Sequence, residues 1–362
     1  MDNRSAPCFL VICLSFLIFT SCRATPKETL DQRWEEFGFT AGRFALAGEL
    51  RLPTGEGPHP LVIMVHGDGP ASRRYFFSLK KCFLEAGYAT LMWDKPGCGE
   101  STGSFSREHL RAERAAILLA AIEKCKRDPR LDARLMGVWG ISQAGYVIPM
   151  ALPQTEDIAF MILVGVAGEN GIRQTAYFVS RQILCEGYSA EQAEEARKLA
   201  AGVCGALSYE EYVRYGEVLL ARYPIVRDLD FMAGILPAER WQAQEPDSEA
   251  YVDPIRVMEL TTIPVRVFLG EKDRNVDPRQ AVEAYEQAFR SAQNPDFAVR
   301  LIPGTDHNII LCETGCEKER RNRSREEWSR YAPEYLQAMK DWLLQLRGVA
   351  APPAGAHQES FD

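Results

Sequence analysis

The sequence has little of several things. Among its 362 residues there are only five histidines, no long stripe of Lys and Arg, and no second cysteine pair to set beside Cys312-x-x-x-Cys316. A zinc site takes about four convergent thiolates or imidazoles, so no metal is expected. Acidic side chains outnumber basic ones, 50 to 42, giving a net charge of −8 and a pI near 5.4. That field repels phosphate backbones and argues against a nucleic-acid partner. No apolar run is long enough to cross about 30 Å of hydrocarbon. With 46% hydrophobic and 25% charged residues, disordered, collagen-like and polytopic membrane chains are excluded. The length allows about two domains at roughly 150 residues each, or one large α/β domain carrying an insertion.

The apolar run from Cys8 to Thr20 has the length of a signal-peptide h-region, which makes residues 1–21 a cleavable leader. Phe19-Thr20-Ser21-Cys22 resembles the lipobox of bacterial lipoproteins. That resemblance implies lipidation at Cys22, membrane attachment through it and a place in a bacterial envelope; the alternatives are a periplasmic or secreted protein. Residues 22–40 read as a linker and 348–362 as a disordered tail. Beyond Cys22 the mature chain holds Cys82, Cys98, Cys125, Cys185, Cys204, Cys312 and Cys316, so at least one is unpaired. Export would let Cys312 and Cys316 close a small loop, although spacing alone leaves the pairing open.

Phe44–Leu52 alternates apolar and polar residues like an edge strand. Short continuous apolar runs follow at Leu61–Val65, Ala89–Trp93, Leu135–Trp139, Phe160–Val166, Val265–Leu269 and Ala298–Ile302, as in strands buried on both faces. Helical patterns lie between them at Tyr75–Glu85, Glu108–Lys126, Gln143–Leu152, Pro278–Arg290 and Arg325–Leu346. This alternation predicts an α/β fold with a mostly parallel sheet between helices, its core formed by residues 41–169 and 254–347. From 170 to 253 no strand appears. Ser189-Ala190-Glu191-Gln192 and Ser208-Tyr209-Glu210-Glu211 read there as capping boxes, which makes this stretch a helical cap insertion. Its aromatic residues, Tyr177, Tyr212 and Trp241 among them, either line a substrate pocket or form the insertion's own core. Leaving the sheet from a strand's C-terminal end, the insertion is expected to cover the site.

Two motifs carry chemistry. In Val138-Trp139-Gly140-Ile141-Ser142-Gln143-Ala144-Gly145 a strand runs into a helix through a serine flanked by small residues, the sequence of a strained turn that exposes a hydroxyl. In Leu61-Val62-Ile63-Met64-Val65-His66-Gly67-Asp68-Gly69-Pro70 a buried strand ends in flexible backbone whose amides can face a developing oxyanion. Gly97 and Gly99 lack the third, helix-opening glycine of a dinucleotide site.

With Asp94-Lys95-Pro96-Gly97-Cys98-Gly99-Glu100-Ser101, these motifs resemble the α/β-hydrolase superfamily, and more narrowly bacterial serine esterases related to serine aminopeptidases and prolyl oligopeptidase-like hydrolases. The resemblance spans about residues 40–347. It implies Ser142 as nucleophile and the amides of Asp68 and Gln143 as oxyanion hole. Of the histidines, only His307 stands beyond the last expected strand, where the family carries its base. The acid belongs between serine and histidine in chain order, after a strand. Asp273 fits, because Asp277 before Pro278 reads as a helix N-cap; Asp306 is the rival beside His307. The implied activity is hydrolysis of small-molecule carboxylic esters through an acyl-enzyme, with no cofactor. Alternatives are an exported peptidase or thioesterase of the same fold, or a binding lipoprotein that has lost the reaction. Oligomeric state is left open.

Overall fold

The computed structural model describes residues 34–105, 110–229, 232–243 and 253–350. The leader, Cys22 and residues 351–362 of the tail expected at 348–362 lie outside them, whereas residues 348–350 are helical and not a disordered tail. The sheet has eight strands: β1 (Trp34–Glu36), β4 (Gly48–Arg51), β5 (His59–Val65), β6 (Ala89–Trp93), β7 (Leu131–Ile141), β8 (Phe160–Val164), β9 (Val265–Gly270) and β10 (Phe297–Ile302). Across the sheet they run β1-β4-β6-β5-β7-β8-β9-β10. β1 and β4 are antiparallel, and everything from β6 to β10 is parallel. The expected edge strand Phe44–Leu52 is divided: β2 (Phe39–Ala41) and β3 (Phe44–Leu46) form a separate hairpin, and only β4 joins the sheet.

Strand parity sorts the buried runs into two layers, because successive side chains point to opposite faces. Leu61, Ile63, Val65, Val138 and Leu163 meet α2 (Leu110–Cys125), α3 (Ala144–Ala151) and α9 (Pro278–Ser291). Val62, Met64, Trp139, Ile162 and Phe268 meet α1 (Phe77–Glu85) and α11 (Pro333–Ala350). The helix expected at Arg325–Leu346 starts later, at Pro333. Proline suits the first helical turn, where its missing N–H has no intrahelical partner to lose, and the residues before it are left to form a loop.

The insertion holds α4 (Gly171–Cys185), α5 (Ala190–Cys204), α6 (Tyr209–Arg222) and α7 (Ala238–Ala243); α8 (Ile255–Met258) leads back to β9. Ser189 and Gln192 form a full reciprocal capping box. Ser208 caps α6 from one side only, since Glu211 turns its carboxylate to the amide of Leu207. α10 (Glu317–Arg321) follows β10. Cys316, at its start, bonds to Cys185 at the end of α4, which settles the pairing that spacing left open; Cys312 is a free thiol. The insertion folds Cys185 back across 131 residues to meet Cys316, a proximity that spacing along the chain does not reveal. Among the described residues no helix is long and apolar enough to cross a membrane.

Candidate active site

Ser142 sits between β7 and α3 with φ at 56°, a left-handed backbone that costs a non-glycine residue about 1–3 kcal/mol. The surrounding structure fixes it. Its N–H donates to the Val164 carbonyl at 2.9 Å, and its own carbonyl accepts from Gly145 N at 2.8 Å. A Cβ on Gly140 would stand 2.4 Å from Ile148 Cδ1 and 2.8 Å from Ala144 Cβ. Glycine at 140 therefore makes room for both the helix crossing and the methyl of Ala144.

His307 lies in the turn after β10 and is 3% exposed. Its Nδ1–H donates to Asp273 Oδ2 at 2.8 Å; facing a carboxylate, Nδ1 carries the proton and Nε2 keeps its lone pair. Asp273, just past β9, is fully buried, and its Oδ1 accepts from the amides of Asn275 at 2.6 Å and Val276 at 3.1 Å. Both carboxylate oxygens are thus held, which fixes the imidazole. The end of β8 draws serine and histidine together. Val164 accepts from the Ser142 amide, and a Cβ on the next residue, Gly165, would come 2.5 Å from the His307 carbonyl and 3.0 Å from Nδ1.

The rival carboxylates are occupied elsewhere. Asp277 caps α9 by accepting from Arg279 N at 3.1 Å and Gln280 N at 3.2 Å. Asp306 accepts from Asn308 N at 2.8 Å, Ile310 N at 3.1 Å and Arg323 Nη1 at 2.5 Å, organising the turn around the histidine.

Asp68 follows β5 on a loop lying against the serine, where a Cβ on Gly67 would stand 3.1 Å from Ser142 Cβ. Two buried cations hold this loop. Lys95 Nζ donates to the carbonyls of Gly67 and Gly69, each at 2.6 Å. In a planar trans peptide the N–H points opposite the C=O, so the pull on Gly67 O turns the Asp68 N–H away from the ammonium. Arg114, on α2, donates to the His66 carbonyl and, at 2.5 Å, to Gln143 Oε1; Gln143 Nε2 in turn donates to Asp68 Oδ1 at 3.2 Å. Burial pushes the Arg114 guanidinium down to about 10, which leaves it charged at neutral pH. Burial also lowers the His66 imidazole well below its usual range, as do the charges of Lys95 and Arg114. His66 is therefore neutral and donates Nε2–H to the Ser72 carbonyl at 3.1 Å. Asp94 completes the support by accepting from Arg73 N at 2.7 Å and Arg73 Nη1 at 2.8 Å.

Ser142, His307 and Asp68 line one cavity of about 1230 Å³. Its walls are the segment between β5 and α1 and the loop between β10 and α11. Tyr75, Phe77 and Trp328 give it an apolar mouth, 51%, 57% and 40% exposed. None of the described insertion residues lines it, which corrects the expectation of a pocket formed by Tyr177, Tyr212 and Trp241. Tyr212 and Trp241 belong to the insertion's own core, with ring centroids 5.9 Å apart and both beside Tyr209. Short helices need such a cluster to bury their inner faces. Tyr177 donates its hydroxyl to the Asp273 carbonyl at 3.3 Å, behind the acid and outside the cavity. Among the described residues the insertion meets the site from behind: Gln174 donates to the Asn275 carbonyl at 2.8 Å, and Gln182 accepts from Glu317 N at 3.0 Å.

Sequence reasoning left Lys95 and Arg114 without roles. Arg114 carried a signal: it occupies the stripe of α2 that continues through Leu118, Ala121, Ile122 and Cys125, all buried. A cation on an apolar helix face needs buried partners. Among the described residues no group of three or more His, Cys, Asp or Glu side chains is placed to hold a metal ion.

The profile of the alpha/beta hydrolase family matches residues 62–315. A 31.7 kDa protein of the traX–finO intergenic region of Escherichia coli is 24% identical over 250 residues, 67% of this chain and 82% of its own. Proline iminopeptidase from Mycobacterium smegmatis superposes with a TM-score of 0.54 at 16% identity, covering 88% of this chain and all of that one. An esterase from Pyrococcus furiosus superposes at 0.51 and 15% identity, covering 89% and 95%.

Proposed function

The chain belongs to the alpha/beta hydrolase family, and from that premise we propose that it is a serine-dependent carboxylic ester hydrolase acting on small to medium apolar acyl or aryl substrates. The observation that carries this reading is the 2.8 Å bond from His307 Nδ1 to the buried Asp273 carboxylate, with His307 and the strained Ser142 lining one cavity. Nε2 of His307 takes the Ser142 hydroxyl proton while Oγ bonds to the acyl carbon. The carbonyl oxygen becomes an oxyanion held by the amides of Asp68 and Gln143. Collapse breaks the bond to the alcohol, which leaves with the proton from His307. Water then attacks the acyl-enzyme by the same route, releasing the acid and restoring the serine. The aromatic mouth favours apolar ester groups and excludes water from them.

A matched panel of a butyryl aryl ester, the corresponding aryl thioester and alanine p-nitroanilide tests the bond cleaved. The ester is expected to have the highest kcat/KM; faster cleavage of the anilide would replace the esterase reading with a peptidase one. We also propose that the protein is exported and anchored through Cys22. The Cys185–Cys316 disulfide supports this, since such bonds persist in oxidising compartments.

Lys95 is a positioning residue in this scheme, because it touches the oxyanion loop and not the substrate. Lys95→Met frees the Gly67 peptide to rotate and is expected to lower kcat about tenfold or more with little change in KM, since loss of a whole oxyanion donor costs about 100- to 1000-fold. A rise in KM at constant kcat would assign Lys95 to substrate binding.

A further inference from the structure

Two cations at the active-site cavity have no ion pair among the described residues. Arg74, from the wall between β5 and α1, and Arg325, from the wall between β10 and α11, both line it and are exposed. Neither guanidinium is hydrogen-bonded or paired with a carboxylate among the described residues. The lining carboxylates are engaged: Glu326 pairs with Arg330 at 3.0 Å, and Asp68 accepts from Gln143. A third lining cation, Arg320, is matched by Glu317 at 3.0 Å. The rim therefore carries uncompensated positive charge in a protein whose net charge is −8. Nearby, Asn308 Nδ2, on the residue after His307, is a buried donor without an acceptor. The site offers hydrogen-bond donors and positive charge beside an apolar, aromatic mouth.

We propose that the substrate is an ester with a carboxylate remote from the scissile bond, held at the rim by Arg74 and Arg325 while its apolar chain lies among the aromatic residues. This rests on the serine-hydrolase reading and adds the substrate's charge. A guanidinium presents paired N–H donors that match the two oxygens of a carboxylate. Exposed pairs are individually weak, but two acting together, with a chain already seated, are expected to favour an acid over its neutral ester about fivefold to tenfold.

The test compares mono-p-nitrophenyl suberate with its methyl ester, which has the same chain and no charge. kcat/KM is measured on the full-length protein, and binding of monomethyl and dimethyl suberate is measured on Ser142→Ala protein. The acid is expected to be preferred in both, through KM in the first, with the preference shrinking toward unity at about 0.5 M salt. Arg74→Gln/Arg325→Gln should bring the ratio to about one, and Arg74→Glu/Arg325→Glu should reverse it. Equal or better use of the neutral compounds, or a preference that survives the double Gln variant, overturns the proposal. If neither ester is hydrolysed, the serine-hydrolase reading fails, and the binding ratio still decides whether the rim selects carboxylates.

Discussion

Ser142→Ala is expected to give a folded protein whose hydrolysis of short aryl esters has fallen at least about a thousandfold. The hydroxyl is the protein group that the scheme bonds to the acyl carbon, and alanine removes it. The fold should not suffer, because what fixes the turn is backbone: Ser142 N to Val164 O and Gly145 N to Ser142 O. Alanine meets the same left-handed strain at φ 56° that serine already bears. Steady-state turnover, read beside the thermal midpoint, checks both halves. Undiminished turnover in a folded variant would remove Ser142 from the mechanism.

Asp273→Asn and Asp277→Asn should separate sharply, although the residues lie four apart on the same loop. At 273 an amide oxygen can still accept from Asn275 N and Val276 N, which directs the NH2 group at His307 Nδ1. Nδ1 must then accept, the ring proton moves to Nε2, and the imidazole cannot take a proton from serine. Loss of activity of about ten-thousandfold is expected with the geometry retained. At 277 the amide oxygen accepts from Arg279 N and Gln280 N as the carboxylate does, and Asn is as good an N-cap as Asp. Turnover there should stay within about twofold, and stability within a few tenths of a kcal/mol. Reversed effects would make Asp277 the orienting acid.

Local pattern carried much of this site. The serine turn and the capping role of Asp277 could each be read within a few residues, because each rests on backbone chemistry of short range; His307 followed from elimination among five histidines and from the family resemblance. Continuous apolar runs alternating with helical patterns likewise made a sheet covered on both faces legible. What escaped depends on distant partners. Lys95 was visible in its motif, but its purpose lies in carbonyls at Gly67 and Gly69. The partner of Cys316 was left open by spacing, and α4 brings Cys185 to it. The aromatic residues of the insertion suggested a pocket, yet Tyr212 and Trp241 pack with its aliphatic residues into the insertion's own core. Arg74 and Arg325 formed no cluster in the sequence because the cavity brings them together from distant parts of the chain.

The central claim is that Ser142, activated by His307 and Asp273, attacks an acyl carbonyl. Labelling of the native protein with a fluorophosphonate, followed by peptide mass mapping, tests it most directly, since the reagent bonds only to an activated nucleophile. A single adduct on Ser142, greatly slowed in Asp273→Asn protein and unaffected in Asp277→Asn, is the predicted result. Folded protein that takes up no label, or carries it on another residue, would contradict the account.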